Sequence, residues 1–292
     1  MSGWSVSDIP DQHGRTFIVT GANSGLGAVA ARALAGAGAQ VVLACRNVDK
    51  GKVVANEIGA RAEVRRLDLA DLSSVREFAA SIDRADVLIN NAGVMGVPYG
   101  RTADGFEMQI GTNHLGHFAL TGLLLGRIAD RVVTVSSGAH AMGAIDLDDL
   151  NWQRRKYQRW PAYGQAKLAN LMFAYELQRK LTAAGWSKLS VAAHPGYAAT
   201  ELQSHTESIQ DTVMAVGNRI FAQSAEMGAL PELYAATADV EPGAYYGPTG
   251  WRGLRGYPGR SGSSKRSKDE ETARRLWELS ERLTGVTFDF SV

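Results

Sequence analysis

Cysteine is nearly absent from this chain: Cys45 stands alone, so no internal disulfide can form, and no cluster of Cys and His has metal-ligand spacing. A reducing compartment follows as the expectation. No run approaches the ~18 apolar residues that cross a bilayer. The start, Met1 to Gly14, holds Asp8, Pro10 and Asp11 and has neither the basic start nor the apolar stretch of a secretory signal. A cytoplasmic protein without a membrane span is the simplest placement. Excess charge of either sign is also missing, with 31 Lys+Arg against 30 Asp+Glu. That balance argues against nucleic acid or a membrane surface as the default partner. What is present is ample apolar material, 45% of 292 residues with 21% charged, enough for a sizeable core.

Short apolar, β-branched runs alternate with helical patterns. Strands are expected at Thr16–Thr20, Gln40–Ala44, Ala62–Leu67, Asp86–Asn90, Arg131–Ser136 and Ser190–His194. Helices are expected at Gly25–Gly38, Val48–Ile58, Ser73–Ile82, about 104–129 and about 162–184. Strands that are apolar throughout are strands covered on both faces. The fold class is therefore α/β: a Rossmann-type, doubly wound parallel sheet with helices on both faces. We expect a single domain over residues 1–292, with a dinucleotide-binding and catalytic core at 14–246 and a C-terminal extension at 247–292. Residues 247–268, rich in Gly, Pro, Ser and basic side chains with no acid, read as irregular and mobile. Beyond them Ser267 and Glu270 have capping-box spacing, Leu276, Leu279 and Leu283 form a stripe, and Gly285 follows, which together predict a docked final helix.

Between the first strand and first helix lies Thr20-Gly21-Ala22-Asn23-Ser24-Gly25-Leu26-Gly27. Glycines let the backbone turn sharply and approach a pyrophosphate, and the helix start offers free amides to negative charge. Sites that prefer NAD place a carboxylate at the end of the second strand. Here the chain reads Ala44-Cys45-Arg46-Asn47, and Arg46 offers a guanidinium suited to a 2′-phosphate. NADP is favoured over NAD. Asp49, the nearest acid, falls in the first turn of a helix that Asn47 would cap, where the dipole explains it.

Tyr163 and Lys167 are four apart on a strongly helical segment and project from one face. A phenol starts near pKa ~10, so its use near neutrality asks for about 3–4 kcal/mol of anion stabilisation. An ammonium close by in a partly dry site can supply that. Asn90-Asn91-Ala92-Gly93, Asn113, Ser136-Ser137, Pro195-Gly196 and Thr200 accompany the pair, and strand ends in an open parallel sheet share one carboxyl edge.

In these ordered motifs, across about residues 14 to 240, the sequence resembles the short-chain dehydrogenase/reductase family. The resemblance implies that Tyr163 passes a proton to or from the substrate oxygen while Lys167 lowers its pKa and holds the nicotinamide ribose. It implies further that Ser137 binds the substrate oxygen and Asn113 seats a water in a relay to Lys167. Ser136 competes with Ser137, which is preferred because the family's serine is usually the second of such a pair. Cofactor contacts are implied at Gly21, Asn23, Ser24, Gly25, Leu26, Gly27, Arg46, Asp68, Leu69, Asn90, Tyr163, Lys167 and Thr200. Ala44-Cys45-Arg46-Asn47, Thr112-Asn113-His114-Leu115-Gly116-His117-Phe118 and a Tyr163 lying 26 residues beyond Ser137 are similar to the retinol-dehydrogenase-like and protochlorophyllide-reductase-like subgroup. Against that subgroup, the expectation is a relative without the hydrophobic N-terminal anchor of the membrane-bound retinol enzymes. Family members often pair through the helix carrying Tyr163, which leaves a homo-oligomer open.

Competing readings are weaker. Trp152, Tyr157 and Trp160 among Arg154, Arg155, Lys156 and Arg159 would suit nucleic acid or an anion, but such a stretch is more often a solvated surface with anchoring rings. Its place after Ser137 suggests a substrate-pocket wall. With Tyr197 and Leu202, it favours an apolar alcohol or carbonyl substrate, and Gln203 to Phe221 would form a lid. His140 beside Ser137 suggests a hydrolase, but no G-x-S-x-G elbow is present. His114 and His117 lack a third metal ligand. His194, closing an apolar strand, reads as structural. Two functions remain: an NADP-dependent oxidoreductase, and a catalytically silent NADP-binding sensor or scaffold.

Overall fold

The computed structural model describes residues 3–197, 223–250 and 253–291. Its strands are β1 (Thr16–Thr20), β2 (Gln40–Cys45), β3 (Ala62–Arg66), β4 (Ala85–Asn90), β5 (Ile128–Val135), β6 (Leu189–Ala193), β7 (Tyr245–Gly250) and β8 (Arg255–Arg260). They form one sheet in the order β3-β2-β1-β4-β5-β6-β7-β8, parallel except for the β7–β8 pair. The strand order reverses between β1 and β4, the switch point where an open sheet of this kind leaves a crevice at its carboxyl edge.

Both faces of β1 are sealed, which is why its sequence does not alternate. Phe17 and Val19 join Ala30, Ala31 and Leu34 of α1 (Gly25–Gly36) on one face, and Ile18 faces the other layer. The first layer also holds α2 (Val48–Ile58) and α7 (Ala225–Thr237). The second is built from α3 (Leu72–Ala80), α5 (Gly116–Leu124) and α6 (Arg159–Ala183). Alanines on α1 and α7 keep side chains short where the two helices pack together.

Three expectations need correction. The helical stretch about 104–129 is broken into α4 (Met108–Ile110), a π-helical Gly111–Leu115 and α5, with Glu107 capping the start through Gln109 N and Ile110 N, both 2.9 Å. Residues 247–268 are not irregular throughout, because Tyr245–Gly250 and Arg255–Arg260 pair as antiparallel strands at the sheet edge and Arg266–Lys268 form a 3₁₀ turn. Their glycines mark close approaches: a Cβ at Gly247 would collide with the His194 ring, and one at Gly250 would come within 2.7 Å of Arg255 O. Pro258 is tolerated because β8 is the edge strand, and Pro248 because it lies beyond Tyr246, the last β7 residue paired with β6. Finally, the cap of α8 (Glu270–Thr284) is Asp269, which accepts from Thr272 N at 3.1 Å, and not Ser267. Gly285 ends α8 in the left-handed region at φ 62°, as a helix stop requires.

Candidate active site and its relatives

The glycine turn is shaped by close approach. Gly21 and Gly25 take φ of 70° and 53°, and a Cβ at Gly27 would lie 2.5 Å from Asn91 Nδ2 and 2.7 Å from Gly21 O. Ser24, at the N-cap of α1, makes no side-chain bond to the first turn, and that turn contains no acid. These amides, with the positive end of a 12-residue helix behind them, suit a diphosphate. The cradle therefore fits a dinucleotide. Arg46 is exposed immediately beyond β2, and Asn47 caps α2 by accepting from Lys50 N at 2.9 Å. Asp49 lies in the first turn of α2 and pairs with Lys52 at 3.3 Å, so the dipole explains it.

After β3, Asp68 is pinned by Ser74 Oγ, 3.0 Å from its amide, and by Ala70 N at its carboxylate. Leu69 is buried, and its carbonyl lies against Gly116, where no Cβ would fit. The two asparagines after β4 diverge. Asn90 Nδ2 donates to Thr121 Oγ1 at 2.9 Å inside the second layer, and Asn91 Nδ2 donates to Thr20 O at 2.8 Å.

Tyr163 and Lys167 are both buried on α6. Lys167 Nζ donates to Val135 O at 3.1 Å, the end of β5, and lies 5.8 Å from the centre of the Tyr163 ring. Gly93 brings Asn113 to the same place. A Cβ there would lie 3.0 Å from Asn113 Oδ1 and 3.6 Å from Lys167 Nζ. Asn113 is latched to the loop after β4, its side chain accepting from Val94 N at 2.7 Å and donating to Val94 O at 2.8 Å. The serine pair separates cleanly. Ser136 Oγ is committed to Lys167 O at 2.8 Å, whereas the Ser137 side chain interacts with the Tyr163 phenol.

Burial pushes Tyr163 up to about 12, and Ser137 offsets it only in part. Desolvation brings the Lys167 ammonium down to about 8, and its Nζ donates to the Val135 carbonyl. Glu232 on α7 acts on Lys167 in the opposite sense, favouring its charged form.

Thr20 and Asn91 fall within the quoted motifs and His117 within the stretch around Asn113, but the sequence reading gave none of the three a role of its own. Thr20 Oγ1 accepts from Asn91 N and Ala92 N and lies 2.9 Å from His117 Nε2. His117 Nδ1 is 3.0 Å from Asn113 O, which can only accept, so that nitrogen carries the proton. The i, i+4 spacing of Asn113 and His117 was the available signal. His114 instead reaches Ser280 on α8 at 3.0 Å. His194 is structural, accepting from Gly196 N at 3.2 Å and meeting Ser261 Oγ at 3.1 Å. In the inserted stretch Trp152 and Tyr157 are anchors, Tyr157 donating to Val97 O at 3.0 Å, while Trp160 stands edge-on to Tyr163 at 6.3 Å. Thr200, Leu202 and Gln203 to Phe221 lie outside the described residues.

The family described as short chain dehydrogenase matches residues 15–211. The chain belongs to that family. Among curated proteins, retinol dehydrogenase 13 of Homo sapiens is 44% identical, the match covering 94% of this chain and 85% of that protein. Retinol dehydrogenase 12 of Homo sapiens is 40% identical over 94% of this chain and 88% of its own. A crystal structure of an uncharacterized protein from Mycobacterium Paratuberculosis superposes with a TM-score of 0.87 at 52% identity, covering 99% of this chain and 100% of that one. Short chain dehydrogenases are oxidoreductases that use a nicotinamide cofactor. No helix among the described residues is long and apolar enough to cross a membrane.

Proposed function

We propose that this short chain dehydrogenase is an NADP(H)-dependent oxidoreductase acting between apolar carbonyl compounds and their alcohols. The observation that carries the reading is the burial of Tyr163 and Lys167 beside Ser137, Gly93 and Asn113 at the carboxyl ends of β4 and β5. Amides of Gly21 to Gly27, including Asn23, Ser24 and Leu26, would hold the diphosphate, and Arg46 the 2′-phosphate. Asp68 and Leu69 would border the adenine, with Asn90 alongside. Thr200 is a further candidate contact. When bound, the nicotinamide supplies or accepts the hydride.

The remaining chemistry belongs to side chains of this chain. The Tyr163 phenol, raised to about 12 by burial, would donate its proton to a carbonyl oxygen in reduction or take one back in oxidation, a role that requires its anion to be stabilised in the loaded site by Ser137 and Lys167. Ser137 Oγ holds the same oxygen. Lys167 binds ribose hydroxyls and passes protons toward Tyr163, and Asn113, latched at Val94, seats a water on that route. Trp160 and Tyr197 favour an apolar substrate, as do relatives named retinol dehydrogenases.

Cofactor absorbance followed with NADPH and with NADH against a panel of apolar ketones and aldehydes, retinal among them, tests this directly. Turnover with NADPH is expected. NADPH binding without turnover of any member or its alcohol would favour a silent binding protein. Arg46→Ala should weaken NADPH by about tenfold or more, the value of a charge-assisted contact, and spare NADH. Equal loss for both cofactors would remove Arg46 from phosphate recognition.

A further inference from the structure

The turn that carries Ser137 is gripped at both ends by a segment outside the family match. Ser137 caps a short 3₁₀ turn, Gly138–Met142, and its Oγ accepts from Ala139 N at 3.2 Å. The carbonyl of Ser137 accepts twice from His140, from the backbone amide at 3.0 Å and from ring Nδ1 at 2.7 Å. On the far side of the ring, Ser264 N donates to His140 Nε2 at 3.2 Å. An amide can only donate, so Nε2 is bare and Nδ1 carries the proton. Burial lowers the pKa of His140, in keeping with a neutral ring.

At the other end of the turn, Arg266 Nη1 donates to Gly143 O at 2.9 Å. Gly143 is pressed against α6 where a Cβ would collide with Gly164 O, one residue beyond Tyr163. Residues 261–267 are themselves tied down. Ser261 N donates to Tyr245 O at 2.8 Å, and Tyr175 OH donates to Ser263 Oγ at 3.0 Å.

We infer that residues 261–267 are a strap that sets the position of Ser137 against Tyr163, with His140 as the positioning residue that transmits it. This rests on the proposed reduction chemistry. The strap acts through the backbone of Ser137 and touches no part of the glycine turn, so its loss should reduce kcat and leave cofactor affinity alone. A misplacement of the order of an ångström at a reacting group lowers rates by about a hundredfold, so partial loosening should cost about tenfold or more.

Two variants cut the link at different points. In His140→Asn the side-chain amide can still donate to Ser137 O but does not reach Ser264; in His140→Gln the terminal oxygen can accept from Ser264 N while the donor to Ser137 is lost. Both should lower kcat by about tenfold or more, with KM for NADPH and its Kd within about twofold of wild type. Amide exchange at Ser264 should accelerate in His140→Asn and stay slow in His140→Gln. Arg266→Met should lower kcat in the same way. Wild-type kcat in either folded His140 variant, or parallel loss of kcat and NADPH binding, would overturn the strap. Wild-type protein is assayed first on the same panel, and absence of turnover there would sink the reduction chemistry and, with it, the catalytic role of the strap. A failure confined to the variants sinks the strap alone.

Discussion

Glu232 is 2% exposed on α7, and neither of its carboxylate oxygens has a hydrogen-bond partner among the described residues. Burial raises its pKa to about 8, with Lys167 acting against the shift. A carboxyl with its folded pKa raised binds its proton more tightly in the native state than in the unfolded chain, where it titrates near 4.5. Its contribution to stability is therefore fully present below about pH 4.5 and is lost as pH rises to about 8, at roughly 1.4 kcal/mol per pH unit. Glu232→Gln should be close to neutral for stability at pH 4.5 and clearly stabilising at pH 8, measured by chemical denaturation at both. A variant equally destabilised at the two values would mean that the carboxylate is paired in solution. Tyr163 and Lys167 were legible from their helical spacing and the Ser136-Ser137 pair from its strand end, whereas the choice of Ser137 and the role of Asn113 came from the family resemblance. Glu232 was not legible. Its burial depends on how a helix containing Pro231 and Gly228 rolls against the sheet, and no local pattern encodes that.

At the scale of elements, α8 is held by stacked aromatics more than by its leucine stripe. Trp277 lies parallel to Phe173 of α6 at 5.6 Å and meets Phe118 of α5 edge-on at 5.1 Å, with Phe288 at 4.4 Å beyond the helix end. Leu279 and Leu283 are only partly buried. Trp277→Ala should therefore destabilise the protein by about 3–5 kcal/mol, a large loss for one side chain outside the central sheet. Unfolding of that variant at the wild-type midpoint would show that α8 docks only loosely. The stripe and Gly285 made α8 legible, and largely apolar runs did the same for β1, β2, β4 and β6, while β3, Ala-Glu-Val-Arg-Arg with no fully buried residue, was placed by the alternation of strands and helices. The hairpin of β7 and β8 was hidden because its glycines are there for His194, Arg255 and Thr249, partners remote in sequence or across the turn. The π-helical turn at Gly111–Leu115 was hidden too, since its 3.6-residue pattern of apolar side chains runs on across it.

At the scale of the molecule, the switch between β1 and β4 places three separate stretches around one crevice: the glycine turn, the Asn91–Gly93 loop and the α6 pair. Thr20 and His117 join them internally, running from the end of β1 to the Asn113 carbonyl. The hairpin and strap then close the sheet edge nearest Ser137. The central claim is that the buried phenol of Tyr163 handles the proton while the rest of the crevice binds cofactor. Tyr163→Phe keeps the ring and removes the oxygen, so its kcat compared with its NADPH dissociation constant isolates that step. A fall in kcat of about a thousandfold with the dissociation constant within a few-fold of wild type is the expected result. Turnover comparable to wild type on the same carbonyl substrate would contradict it.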